Sequence, residues 1–293
     1  MNISSRHHYL PQFYLNGFTD DDRRFHVFDI KNQRLKSKKL FPKQVFFEPD
    51  RNTFIIGGEK TDFLESQIYK LIDNINSKAF QKIVTSTRDS KTTLTDYYFL
   101  HYFITNLFWR IPRTDQQIMV LFENANYQDL NFHLVENKIG KVDPIASQKL
   151  LSLPEFRETY RAFMAATEFT KWNSETEMKN WRISYSTNQN TPHLCGDNPI
   201  VTRNDGDLKL FSSELIFPLT KDKTLFYTNN EIKIKEISPE YKLKLDIVIM
   251  AQSQIMTTSI DSDYLVMINQ LKNQFDIKQL KGELFEIFEN NDN

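Results

Sequence analysis

Three short segments of this 293-residue chain carry residue types that could do chemistry. The first is Arg6-His7-His8-Tyr9-Leu10-Pro11-Gln12-Phe13. Imidazole titrates near neutrality, so His8 is a candidate general acid or base, with Gln12 beside it to hold a substrate. The apolar positions Leu10, Phe13 and Leu15 argue for an ordered segment that packs into the body and presents a His. The plainer reading is a capping segment whose His is a satisfied hydrogen-bonder. The second segment is Trp109-Arg110-Ile111-Pro112-Arg113. Arg110 ends an apolar run, where a guanidinium either complements a helix C-terminus or offers a fork to a carboxylate or phosphate. Arg113, after the Pro turn, strengthens the anion reading. The third segment is His193-Leu194-Cys195-Gly196-Asp197-Asn198-Pro199. Asp-Asn-Pro spells a turn, because Asx side chains bond nearby backbone and Pro fixes φ. At a strand mouth, Asp197 could also serve as a general base or as the partner of a His.

Taken together, the three segments suggest one assembled site. His8 and Asp197 would be catalytic, and Gln12, Arg110, Arg113 and Asn198 would bind substrate. A phosphodiester or nucleotide suits paired arginines, so the concrete version is a nuclease-like hydrolase, of the kind a toxin or phage-defence effector would use. A divalent cation, if one assists, would fall to Asp197 and His8; no cofactor is firmly implied. The alternative is a non-enzymatic binding or interaction module, taking nucleic acid, a nucleotide or a protein partner, whose motifs are structural. Convergence of His8, Arg110 and Asp197 on one cleft separates the two.

Other classes fall away on composition. With only 7 Gly and neither GxGxxG nor GxxxxGK[ST], a Rossmann site and a P-loop are rejected. The single cysteine, Cys195, allows no internal disulfide and no Cys-based zinc site, and fits a reducing, cytoplasmic setting. As a thiol it is either a nucleophile or a small buried side chain. No HExxH, EF-hand loop or spaced His/Cys set points to a metal. Net charge is −1, so the chain as a whole does not announce a nucleic-acid binder. A local basic excess lies between Arg23 and Lys43, where it could meet phosphate or guard a strand edge. Residues 1–8 contain no secretory signal. The most apolar run, Tyr97 to Trp109, is too short to span a bilayer and reads as a buried helix.

The elements that must position these residues suggest an α+β protein: a β-rich N-terminal segment, a central helical lobe, and a C-terminal antiparallel sheet with flanking helices. The chain forms one compact unit, 1–293, with a lobe at 1–175 and a sheet-rich lobe at 176–293. Strands are expected at Phe25–Ile30, Val45–Phe47, Thr53–Ile56, Trp181–Thr187, Pro199–Thr202, Lys209–Leu219, Thr224–Thr228 and Glu231–Ile237. Helices are expected after Thr61 and Thr95, then over Asp115–Asn137, Asp143–Ser152, Pro154–Asn173 and Pro239–Ser253, with a further helix or strand–helix element over Asp261–Phe275. The opening segment, Arg110-Ile111-Pro112, Gly196-Asp197-Asn198-Pro199 and Phe217-Pro218-Leu219 occur in an order that resembles the bacterial domain of unknown function 4238 family. The match departs in two places: Ile111 and Gly196 stand where hydroxyl residues are usual. The resemblance implies no settled activity.

Overall fold

The computed structural model describes residues 5–56, 59–87, 90–129, 134–136, 140–153, 156, 160–161, 164–165, 178–188, 193–206, 209–229 and 234–289. The fold is α+β. Its strands are β1 (Arg6–His8), β2 (His26–Asp29), β3 (Arg34–Leu35), β4 (Phe47–Pro49), β5 (Phe54–Ile56), β6 (Glu59–Thr61), β7 (Trp181–Ser186), β8 (Cys195–Gly196), β9 (Val201–Thr202), β10 (Leu215–Pro218), β11 (Lys223–Tyr227), β12 (Glu236–Ile237) and β13 (Met256–Ser259). Its helices are α1 (Gln12–Leu15), α2 (Lys70–Thr85), α3 (Leu94–Arg110), α4 (Pro112–Asn124), α5 (Pro144–Leu151), α6 (Pro239–Gln252), α7 (Ser262–Leu271) and α8 (Ile277–Phe285).

The larger sheet runs β12-β7-β11-β10-β9. It is antiparallel except for the parallel β12–β7 pair. Strands β10 and β11 are buried on both faces, which accounts for the unbroken apolar run of β10 and for Leu225-Phe226-Tyr227 in β11. Because side chains alternate across a strand, Leu215 and Phe217 enter one core while Ile216 enters the other. The first core holds the opening segment with α2 and α3, and the second holds α6, α7 and α8.

The opening segment is a plug in the first core. Tyr9, Leu10, Tyr14, Leu15 and Phe18 are all buried. Tyr14 stacks on Phe217 at 5.2 Å and its hydroxyl donates to the Pro218 carbonyl at 2.9 Å. The smaller sheet, β3-β2-β13-β8, pairs His26–Asp29 with Met256–Ser259, so N-terminal backbone crosses the lobe boundary expected at residue 175. In the basic stretch, Lys36 pairs with Asp29 and Lys39 with Asp20.

Some boundaries differ for local reasons. Helix α3 is capped by Thr93 rather than Thr95, because Thr93 and Asp96 form a reciprocal capping box. Pro112 ends α3 and opens α4 at once, its missing N–H costing nothing at a first helical position. Helix α4 stops at Asn124, short of the expected Asn137. Strand β10 starts at Leu215, after turns over residues 210–213. Most of the helix expected at residues 154–173 lies outside the described residues. The sequence reading placed no helix at α8, which buries Leu280, Leu284 and Phe285.

Candidate functional site

The six candidate side chains do not share one cleft. His8, Gln12 and Arg110 line a cleft of about 240 Å³ together with Phe13, Glu65 and Asp73. Strand β1 sets this arrangement. Alternation buries His7, whose Nδ1 accepts the Asn52 N–H at 2.9 Å, and turns His8 to the other side. Burial pushes the His8 pKa down, against a hydrogen bond to the Lys43 backbone that raises it. The imidazole is therefore neutral at pH 7, and its buried Nε2 lacks a hydrogen-bond partner.

Arg110 lies in that cleft but is not a free anion fork. One terminal nitrogen pairs with Asp73 Oδ1 at 2.6 Å, and the other donates to the His8 carbonyl at 2.8 Å. The guanidinium also sits 4.5 Å from the centre of the Tyr69 ring. Burial would lower its pKa, but the Asp73 and Glu65 charges together with the Asp73 hydrogen bond outweigh this and raise it. With Glu65 and Asp73 against one Arg and a neutral His, the cleft carries net negative charge, which opposes an anionic substrate. Arg110 thus clamps the N-terminal strand, with both terminal nitrogens engaged by Asp73 and the His8 carbonyl.

Asp197 is not among the residues that line this cleft. Its carboxylate accepts the Gln254 N–H at 3.0 Å and the Ile255 N–H at 2.9 Å, tying down the reversal between α6 and β13. The structure does not bring Asp197 into the His8 cleft: the carboxylate holds backbone, and the His8 ring bonds the Lys43 backbone. Gly196 is required beside it. A Cβ there would stand 2.1 Å from Ser253 Oγ, whose hydroxyl donates to the Ile249 carbonyl at 2.7 Å.

Burial raises the Asp197 pKa to about 6, against the lowering effect of the Ile255 and Gln254 N–H bonds. A carboxyl raised in the folded state contributes stability that is present below pH ~4 and lost as pH rises through about 6. The full span is at most about 3 kcal/mol. Measured by denaturant midpoints, the stability of Asp197→Asn relative to wild type should rise between pH 4 and 6 and level off above. A pH-independent difference would show that Asp197 titrates normally.

Arg113 and Asn198 line a second cleft, of about 380 Å³, with Gln117, Asp205, Gln252 and Lys281. Asn198 is 4% exposed, and neither Oδ1 nor Nδ2 of its amide has a partner. Its backbone carbonyl accepts from Gln252 Nε2 at 2.5 Å. Gln117 Oε1 is likewise buried and unpartnered. Arg113 and Lys281 hold opposite oxygens of Asp205, at 2.8 and 2.7 Å. Gln117, Gln252 and Lys281 escaped the sequence reading, since each is an ordinary polar residue on a helix face and only packing brings them together.

A buried constellation also mimics a catalytic triad. His193 Nε2 lies 2.6 Å from Thr224 Oγ1, and its Nδ1 lies 3.3 Å from Asp246 Oδ1. Tyr264 donates to Asp246 Oδ2 at 2.7 Å. His193, Thr224 and Asp246 are all fully buried, and none lines either cleft, so this is a structural network. Burial also holds the Cys195 thiol protonated, which removes it as a nucleophile. Among the described residues, no group of three or more His, Cys, Asp or Glu side chains is placed to hold a metal ion. Among them, too, no helix is long and apolar enough to cross a membrane.

The sequence profile of a family described as proteins of unknown function (DUF4238) matches residues 6–275. The chain belongs to that family. No curated protein and no solved structure matches it. The match ends just before α8, so Lys281 enters the second cleft from outside the matched region.

Proposed function

We propose that this protein is a binding module whose recognisable motifs are structural and whose ligand site is the cleft lined by Asn198 and Arg113. One observation carries this reading: a buried amide, that of Asn198, stands at the wall of an open polar cleft with neither polar atom paired. Buried polar groups are normally satisfied, because leaving one unpaired costs about 1–3 kcal/mol. An unpaired amide beside a cleft is what a site poised for a ligand presents. The lone buried Cys195 suits work in the cytoplasm.

The substitution Asn198→Leu tests this. It keeps the branched shape and removes the unpaired atoms, so the unliganded protein should gain roughly 1–3 kcal/mol in chemical denaturation. A comparable loss would mean that the amide is engaged within the fold, and the binding reading would fall. A second reading, a phosphodiester- or nucleotide-directed hydrolase at His8, is favoured by the neutral imidazole with its unpartnered Nε2. Nuclease and nucleotide-hydrolysis assays on wild type and His8→Ala decide it: activity present in the first and absent in the second would displace the binding reading.

A further inference from the structure

We propose that a third cleft, where the start of α3 meets β7 and β12, is a separate site for a phosphorylated small molecule whose phosphoryl group sits on the Arg182 guanidinium. It is independent of the Asn198 cleft. The cleft has a volume of about 570 Å³ and is lined by Tyr97 of α3, Arg182 and Tyr185 of β7, and Lys235 and Glu236 at β12. Arg182 sets it apart. Arg51, Arg110, Arg113, Arg161 and Arg203 each face a carboxylate. Arg182 is half-buried, and no carboxylate among the described residues pairs with it. Its Nε donates to the Ile234 carbonyl at 3.1 Å, which orients the guanidinium plane. Its two terminal nitrogens have no acceptor among the described residues. They are not among the buried polar atoms that lack one, so they stand open to the cleft. An oriented guanidinium with both terminal nitrogens free is a fork for an oxyanion.

Charge and size point the same way. Lys91 and Lys235 line the same cleft, are exposed and carry no ion pair among the described residues. Three cations against one lining acid, Glu236, leave the described wall with a net charge of +2. That balance attracts a dianion. A phosphoryl group presents three oxygens, enough to accept from the Arg182 fork and from a lysine together, where a carboxylate has only two. One wall is tied in place: Thr87 accepts the Tyr185 hydroxyl on its carbonyl at 2.8 Å, and its N–H donates to Ser90 Oγ at 2.9 Å. Apart from Ile183, every described lining side chain is polar, which fits a hydrated ligand. The volume lies within the range of small-molecule sites, roughly 300–1,000 Å³. With a whole-chain charge of −1, one small anion fits better than the phosphate-dense backbone of a strand.

Calorimetric titration of the full chain at low ionic strength with inorganic phosphate, pyrophosphate, citrate and a single-stranded oligonucleotide tests this. Pyrophosphate should bind about 10-fold or more tighter than phosphate, because its second phosphoryl group reaches another of the three cations. Citrate should bind more weakly than pyrophosphate. Arg182→Lys should weaken pyrophosphate by about 10-fold, since a point charge cannot make the paired contact. Lys91→Glu, at an exposed position without an ion pair, should weaken it too while melting at the wild-type temperature. Pyrophosphate affinity unchanged in both variants would overturn the site, as would a wild-type chain that binds no probe at millimolar concentration. Citrate binding as tightly as pyrophosphate would overturn the phosphoryl assignment. An oligonucleotide binding more tightly than pyrophosphate would replace the small molecule with a strand. None of these readouts involves Asn198, so failure here leaves the reading of that cleft untouched.

Discussion

Replacing Asp246 by alanine should cost about 3–5 kcal/mol of folding stability, read as a shift of the denaturant midpoint at unchanged m-value. Asp246 sits on α6 with no solvent exposure. Its Oδ1 accepts the Leu194 N–H at 3.0 Å and meets His193 Nδ1, while Oδ2 takes the Tyr264 hydroxyl. These contacts lock α6 to α7 and to the chain entering β8, beside the larger sheet. Alanine strands three buried donors at once. It also removes a counter-charge of buried Lys242, whose pKa burial has already depressed to about 8. Asp246→Asn keeps the shape and one acceptor, so its cost should be smaller, about 1–3 kcal/mol. A loss below ~1 kcal/mol in the alanine variant would mean that the network rearranges around the gap and is not what holds α6 in place.

That network also shows where sequence reading stops. His193, Thr224 and Asp246 are separated by 31 and 22 residues, and nothing in their local spacing links them. Two of the elements that carry them were legible, a strand at 224–228 for Thr224 and a helix from Pro239 for Asp246, whereas His193 lies in the connection before β8. The apolar run from Tyr97 likewise gave α3, because a helix apolar nearly all round has to be central. Pairing was not legible. Strand β2 meets β13 across more than 200 residues, and register of that kind leaves no local mark. Asp197 is the instructive middle case. Asp-Asn-Pro does mark a reversal, but its carboxylate serves backbone 57 and 58 residues downstream rather than its own turn. Helix α8 was missed because Gly282 and several Lys and Glu residues thin its apolar stripe to a few positions. Among the site residues, Asn198 and Arg113 could be named from the sequence. That the amide of Asn198 lacks a partner could not, since satisfaction is a property of packing.

Arg110 provides the sharpest test of whether the family's opening segment is structural. Arg110→Ala should lose about 3 kcal/mol, toward the lower end for breaking a buried pair, because Asp73 is 30% exposed and water relieves part of its stranded charge. The remainder of the cost falls on the His8 carbonyl, which loses its donor, and on the Tyr69 ring, which loses the guanidinium against it. Arg110→Lys should recover only part of the loss. An ammonium can meet Asp73, but as a compact point charge it lacks the planar fork that reaches the His8 carbonyl at the same time and the flat face that lies on Tyr69. The defect should be local as well as global. Among the described residues β1 pairs edgewise with β4, in the register His7 to Glu48 and His8 to Phe47, and the Arg110 contact to the His8 carbonyl adds a hold from α3. Limited proteolysis at native pH should therefore cut Arg110→Ala near Arg6 before the body of the protein is attacked. If Arg110→Ala were as stable and as resistant as wild type, its guanidinium would be dispensable to the fold. The cleft beside His8 would then regain its claim to a substrate.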